Sequence, residues 1–299
     1  MKRAILLNTP ELPCPGTHYF HTVKFLSSFT EHGFTPIEAS TLEQFVSISP
    51  DSGDIVYISN HGATSVSGLK ALQSISHLDC VFVLWFFHDV LEEPGMPKFK
   101  RWILTGEHFR QKPKTDPHVR FWEMQKGIPN YVPLTFATSI KPDDIGRYQR
   151  NEQFKASFVG APYQIEWCKK LHTENEGILI RYTPPFIDEK QRVAMYLSSV
   201  VSLGFHSDNN AANSVLVERV FEGLALGNIV VSDNPVCEEA TDGIVKLVTS
   251  YDSLHSEIEK WWSDPISRKL QQERGMSWCK SHGTYTAVSK SFIDMMGRV

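Results

Sequence analysis

Short apolar runs, each about one strand long, recur along the chain and alternate with stretches of helical spacing. Arg3–Asn8 (RAILLN), Pro36–Ala39, Asp54–Ser59 (DIVYIS) and Cys80–Phe87 form a first series. Phe154–Val159 (FKASFV), Gly177–Tyr182 (GILIRY), Val200–Phe205 (VVSLGF) and Ile229–Ser232 (IVVS) form a second. Helices are predicted between them over His18–Gly33, Ser65–Ile75, Tyr163–His172, Glu189–Leu197 and Ser214–Leu226, the last ended by Gly227. Strands that read as continuous apolar runs are buried on both faces, and the intervening helices supply the cover. The pattern therefore predicts an α/β protein of βαβ units, with parallel sheets and helices on both faces.

At 299 residues the chain has the size of two domains. The rhythm weakens after Asp89, Tyr131–Thr138 reads as an edge strand, and the polar segment Lys141–Gln153 reads as a linker. The expected organisation is two Rossmann-like domains, 1–145 and 152–280, followed by a terminal helix over 281–299. A short helix at Val236–Thr241 and a strand at Ile244–Val248 complete the second domain, and the chain reads as helical from Ser253 onward. Within the terminal helix, Val288, Phe292, Ile293 and Met296 have the spacing of a docking face.

Composition narrows the class further. A 41% hydrophobic, 21% charged chain supports a packed core, and a net charge of −4 gives no global reason to bind nucleic acid or an anionic membrane. Five scattered cysteines, with no C-x-x-C pair, suggest neither a zinc site nor a disulfide framework, and fit a cytoplasmic setting. Ala4–Leu7 is too short for the core of a signal peptide, and Cys80–Phe87 falls well below the ~20 residues that span a bilayer. The expectation is a soluble protein with no bound metal and no cofactor. Gly-rich dinucleotide and P-loop motifs, the G-x-S-x-G elbow and H-E-x-x-H are all missing from the sequence.

The most informative segment is Asn213–Asn234, NSVLVERVFEGLALGNIVVSDN. It predicts a helix starting near Asn213 or Ser214, either of which is a good cap, just beyond the carboxyl end of a strand. That edge of an open α/β sheet is where ligands bind, and free backbone N–H groups at a helix start favour phosphate. Phe221–Asp233 (FEGLALGNIVVSD) resembles the E-A-x-A-x-G-x-P/I-V-V segment of GT-B glycosyltransferases, whose two Rossmann-like domains face each other across a cleft. The resemblance implies transfer of a sugar from a nucleotide-diphosphate sugar, without an essential metal. It implies that Glu222 takes the ribose hydroxyls and that Arg219, in the pair Glu218-Arg219, faces the diphosphate. The second Glu that retaining members carry in this motif corresponds to Ser214 here, so the stereochemical outcome stays open.

These residue types suit that chemistry. Breaking the anomeric C–O bond leaves growing negative charge on a diphosphate, which a planar guanidinium can meet bidentately. Arg181, at the end of GILIRY, is a second candidate cation. Gly160 would let backbone approach the diphosphate, Asn213 sits at the presumed helix start, and His206 follows a strand directly, opening the loop Ser207-Asp208-Asn209-Asn210. An inverting reaction also needs a base for the acceptor hydroxyl. His18, His61, His88 and Asp89 are the candidates in the first half, with Asp89 and His18 favoured.

Lys98–Arg120 concentrates positive charge with interleaved aromatic residues. It reads first as a solvated face and second as a place for an anionic acceptor. Expected partners are the nucleotide-sugar donor and a glycan, lipid-linked or other hydroxyl acceptor, with nucleic acid only in the acceptor role. Two other readings fit the sequence: a nucleotide-sugar epimerase or hydrolase of the same fold, and a non-catalytic two-domain small-molecule binding protein.

Overall fold

A computed structural model describes residues 2–14, 16–59, 65–86, 101–106, 132–133, 136–161, 165–182, 188–212 and 215–296. Asp89, His61, His88, Asn213 and Ser214 lie outside these residues, as does the side chain of His18. The chain divides into two compact units, one of Met1–Leu134 with Val288–Val299 and one of Thr135–Ala287.

The first unit is built on a parallel sheet in the order β2-β1-β3-β4-β5-β6. The strands are β1 (Arg3–Leu7), β2 (Thr35–Ala39), β3 (Ile55–Ser59), β4 (Val81–Phe86), β5 (Trp102–Gly106) and β6 (Val132–Pro133). Every residue of β3 is buried, as its unbroken apolar run requires. Helices α1 (Gly16–Ser28), α2 (Leu42–Ile48) and α3 (Val66–Ile75) join the strands. Thr41 caps α2 by accepting from the Gln44 amide, and Ser65 caps α3 by accepting from Gly68. The core is a cluster that includes Ile5, Leu7, Phe45, Val56, Ile58, Leu72, Phe82 and Leu84. At its edge the fully buried Asp54 carboxylate holds the start of β1 by accepting from the Arg3 amide at 2.9 Å and from its guanidinium.

The second unit carries a parallel sheet in the order β11-β10-β9-β7-β8. Its strands are β7 (Phe154–Gly160), β8 (Ile178–Tyr182), β9 (Ser199–Leu203), β10 (Ile229–Ser232) and β11 (Lys246–Leu247). The helices are α4 (Ile165–Glu174), α5 (Glu189–Leu197), α6 (Asp208–Ala212), α7 (Glu218–Ala225), α8 (Pro235–Ala240), α9 (Tyr251–Ser263), α10 (Pro265–Trp278) and α11 (Tyr285–Met296). A turn of π-helix over Cys279–Gly283 links α10 to α11, which begins in this unit and continues into the first from Val288. Cys168, Leu171, Leu254, Ile258 and Trp261 pack with Phe158, Val201, Leu203 and Phe205 in one core.

Several elements differ from the sequence reading. The polar stretch Lys141–Gln153 belongs to the second unit: Asn151 and Gln153 donate backbone bonds to Leu197 and Ser198, and the Arg150 guanidinium caps the carbonyl of Leu226 and also bonds Ser199. The helix expected from Asn213 or Ser214 begins at Glu218, with Val217 in the cap position and no side-chain cap. Val215, Leu216 and Val217 fit the helical pattern but are spent as a buried segment leading into it. Ser207-Asp208-Asn209-Asn210, expected as a loop, opens the short helix α6. Both α2 and β5 appear where no element was expected.

Candidate functional site

The strand order of the second unit reverses between β7 and β9. From β7 the chain moves outward to β8, then returns past β7 to β9, β10 and β11. Crevices at such switch points, outside the carboxyl ends of the strands, are where open α/β sheets bind ligands. β7 ends at Gly160, and β9 ends at Leu203, followed directly by Gly204 and Phe205.

Arg219 occupies this position. It stands in the first turn of α7, and its Nη1 donates to the Phe205 carbonyl at 2.7 Å. Its Cζ lies 5.3 Å from the centroid of the Phe158 ring, a cation–π contact with β7. The guanidinium also lies against the backbone of Gly160: a Cβ built there would meet Cζ at 2.8 Å. One side chain thus joins the carboxyl ends of the two strands that flank the reversal. Its neighbour Glu218 is half-buried in the same turn.

Glu222 follows on α7 and is 5% exposed. A lone buried carboxylate would be expensive, and Arg192 of α5 answers it with Nη2 at 2.8 Å from Oε1. Burial opposes the Arg192 charge, but Glu222, Glu218 and Glu189 outweigh it and hold its pKa above the ordinary value. Among the described residues, Arg192 Nε is buried with no hydrogen-bond partner. Tyr196, wholly buried on the same helix, has its phenol pushed far up, first by burial and then by Glu222. Tyr285 is raised likewise, by burial and then by Glu218. Helix α7 sits close to the sheet because Gly223 presents no side chain: a Cβ there would meet Val230 Cγ2 at 2.9 Å and Ser202 Cβ at 3.1 Å.

The other sequence candidates are placed as follows. Gly160 and Arg219 are in contact, and Glu218 and Glu222 share their helix. Arg181, at the end of β8, is exposed. His206 is turned into the protein with its side chain fully buried, Nδ1 at 3.0 Å from Asp233 Oδ1 and Nε2 at 3.7 Å from Cys237 Sγ. Burial depresses its pKa, against the pull of Asp233 in the other direction. Asn213 and Asp89 lie outside the described residues, and of His18 only the backbone, in α1, is described. Sequence reasoning missed Arg192 and Asp233. Arg192 sits among Glu189, Lys190 and Gln191, which read as an ordinary solvated helix face, and nothing local marks its long-range partner.

Neither a protein-family model nor a curated protein matches the chain. Solved structures do. An α-glucosyltransferase in complex with UDP-glucose and DNA containing an abasic site is 10% identical, with a TM-score of 0.65 over 99% of both chains. The DNA-modifying enzyme β-glucosyltransferase, determined with and without uridine diphosphoglucose, is 12% identical, with a TM-score of 0.58 over 99% of this chain and 100% of that one. An α,α-trehalose 6-phosphate synthase from Burkholderia multivorans is 8% identical, with a TM-score of 0.64 over 100% of this chain and 99% of that one. The chain has the GT-B glycosyltransferase fold.

Proposed function

We propose that this protein transfers a glycosyl group from a nucleotide-diphosphate sugar bound by its second unit. The observation that carries the proposal is Arg219, whose guanidinium spans the carboxyl ends of β7 and β9 where the strand order reverses. A nucleotide diphosphate seated there meets a planar cation suited to phosphate oxygens, and that cation counters the charge the leaving diphosphate gains in the transition state. Glu222, oriented by Arg192, is the carboxylate for the ribose hydroxyls. Glu218 stands in the same first turn, and Arg181 is a second cation at the neighbouring strand end.

In this reading the enzyme needs no metal, because side-chain cations supply the electrostatic counterpart to the diphosphate. The acceptor is a hydroxyl-bearing glycan, lipid-linked molecule or nucleic acid; structural neighbours include α-glucosyltransferase in complex with DNA. Asp89 and His18 are the proposed bases for an inverting reaction. A cytoplasmic setting fits five cysteines that are all free and buried, and no helix among the described residues is long and apolar enough to cross a membrane.

The test is a thermal-shift screen with UDP, GDP, ADP, CMP and dTDP on the wild-type chain and on Arg219→Gln and Glu222→Ala variants. A ligand that binds only the folded state raises its melting temperature by mass action. A selective shift from one nucleotide, lost in both variants, is expected. A folded wild-type chain that responds to none of the five would sink the donor-site reading and favour a non-catalytic binding protein. Turnover of a nucleotide sugar to free sugar with no acceptor present would favour the epimerase or hydrolase reading.

A further inference from the structure

We infer that Asp233 is the positioning residue of the donor site, acting on the diphosphate through the backbone that holds Arg219; the inference rests on the donor-site reading. Asp233 directly follows β10, and its side chain is only 7% exposed. Its carboxylate reaches across to the end of β9 and accepts from the His206 backbone amide, at 3.0 Å to Oδ1 and 3.3 Å to Oδ2. The same Oδ1 lies 3.0 Å from His206 Nδ1. A carboxylate can only accept, so Nδ1 carries the ring proton and Nε2 is the bare nitrogen. Nε2 faces Cys237 Sγ at 3.7 Å, and burial pushes that thiol up to about 12, so it stays an S–H that donates to the ring.

Amide and ring of His206 are thus held by one carboxylate. The amide they fix belongs to the peptide whose other end is the Phe205 carbonyl, the acceptor for Arg219 Nη1 at 2.7 Å. Ser232 reinforces the arrangement by donating to the Gly204 carbonyl at 3.0 Å. The contacts run from Asp233 through the 205–206 peptide to Arg219, whose guanidinium is flanked on its other side by Gly160 and Phe158. His206 therefore serves the site from inside the protein, and Asp233 sets where the diphosphate cation stands.

The role predicts a selective defect. Asp233→Asn keeps the shape and an oxygen at Oδ1, but it removes the negative charge and turns Oδ2, the second acceptor for the His206 amide at 3.3 Å, into a donor, so the hold on the 205–206 peptide weakens and Arg219 loosens with it. Binding of UDP, GDP, ADP, dTDP, inorganic pyrophosphate and the corresponding nucleosides is measured on the wild type, Asp233→Asn, Arg219→Gln and the double variant. Asp233→Asn is expected to weaken the bound nucleoside diphosphate and pyrophosphate about tenfold, to leave the nucleoside unchanged, and to add little once Arg219 is already replaced. Equal loss for nucleoside and diphosphate, wild-type affinity for pyrophosphate, or a full additional loss on top of Arg219→Gln would each overturn it. A wild-type chain that binds none of these probes removes the donor site itself. Binding that Arg219→Gln abolishes and Asp233→Asn spares removes only the positioning role.

Discussion

The guanidinium of Arg219 occupies the space that any side chain at residue 160 would need: an ideal Cβ on Gly160 falls 2.8 Å from Cζ and 2.9 Å from Nη2. The far end of an Arg side chain can move, so Gly160→Ala is expected to displace the guanidinium with the fold kept. Donor affinity should fall about tenfold, or ~1.4 kcal/mol, and the denaturation midpoint should fall as well, because Gly160 holds φ at 157°, where a residue with a side chain is strained. Calorimetric titration alongside urea unfolding separates the two effects, and unchanged donor affinity would show that the guanidinium position does not matter.

The Arg192–Glu222 pair gives a second prediction. Removing one partner takes from the other the ion pair that offsets its burial, which costs about 3 kcal/mol at the low end of the usual range, since Arg192 keeps 23% of its side chain exposed. Arg192→Met and Glu222→Gln should each destabilise the second unit. The double variant should be more stable than the sum of the two losses implies. Denaturant titration of the four proteins measures the coupling, and strict additivity would mean that the pair does not interact.

His206 makes stability depend on pH. Its pKa is lowered in the folded protein by burial from an ordinary value of 6.5. The unfolded chain therefore binds the proton first, and the contribution present above pH ~6.5 is lost as pH falls from there through the folded value. Unfolding free energies at pH 5 and pH 7.5 should differ more for the wild type than for His206→Gln. Identical differences in the two proteins would assign the acid sensitivity to other groups.

In the first unit, Phe292 is 1% exposed and meets Phe25 edge-on at 5.8 Å and Phe29 at 6.5 Å. Nearby, His32 Nε2 lies 3.1 Å from Ser289 Oγ. Phe292→Ala should cost about 3 kcal/mol, and a chain stopped before Val288 should expose the aromatic cluster to solvent. Tryptophan and tyrosine fluorescence, followed through denaturation, reports both. A melting curve unaffected by either change would exclude Phe292 from the core.

Much of the fold could be read from the sequence because parallel strands covered on both faces must be apolar throughout. Hence Ile55–Ser59 and Ile229–Ser232 stand out unaided. The start of α7 was less legible, since Val215-Leu216-Val217 satisfies both a helical face and an extended buried segment, and only packing decides between them. Glu222 was singled out through its place in a motif. Arg192 was not, because its partner lies thirty positions away on another helix and the pairing leaves no trace in local periodicity. His206 was expected at the ligand surface from its position after a strand. Position alone could not reveal that Asp233 would draw the ring inward.

The division of the chain carries a consequence for its synthesis. The second unit is one continuous stretch, Thr135–Ala287, whereas the first is completed only by Val288 and the residues after it. During translation the later-made unit has all its residues before the earlier one does, the reverse of the usual order in which domains mature. Until Phe292 emerges, Phe25 and Phe29 lack the cover of its ring, so the nascent chain's exposure to aggregation and chaperones is concentrated in the part made first.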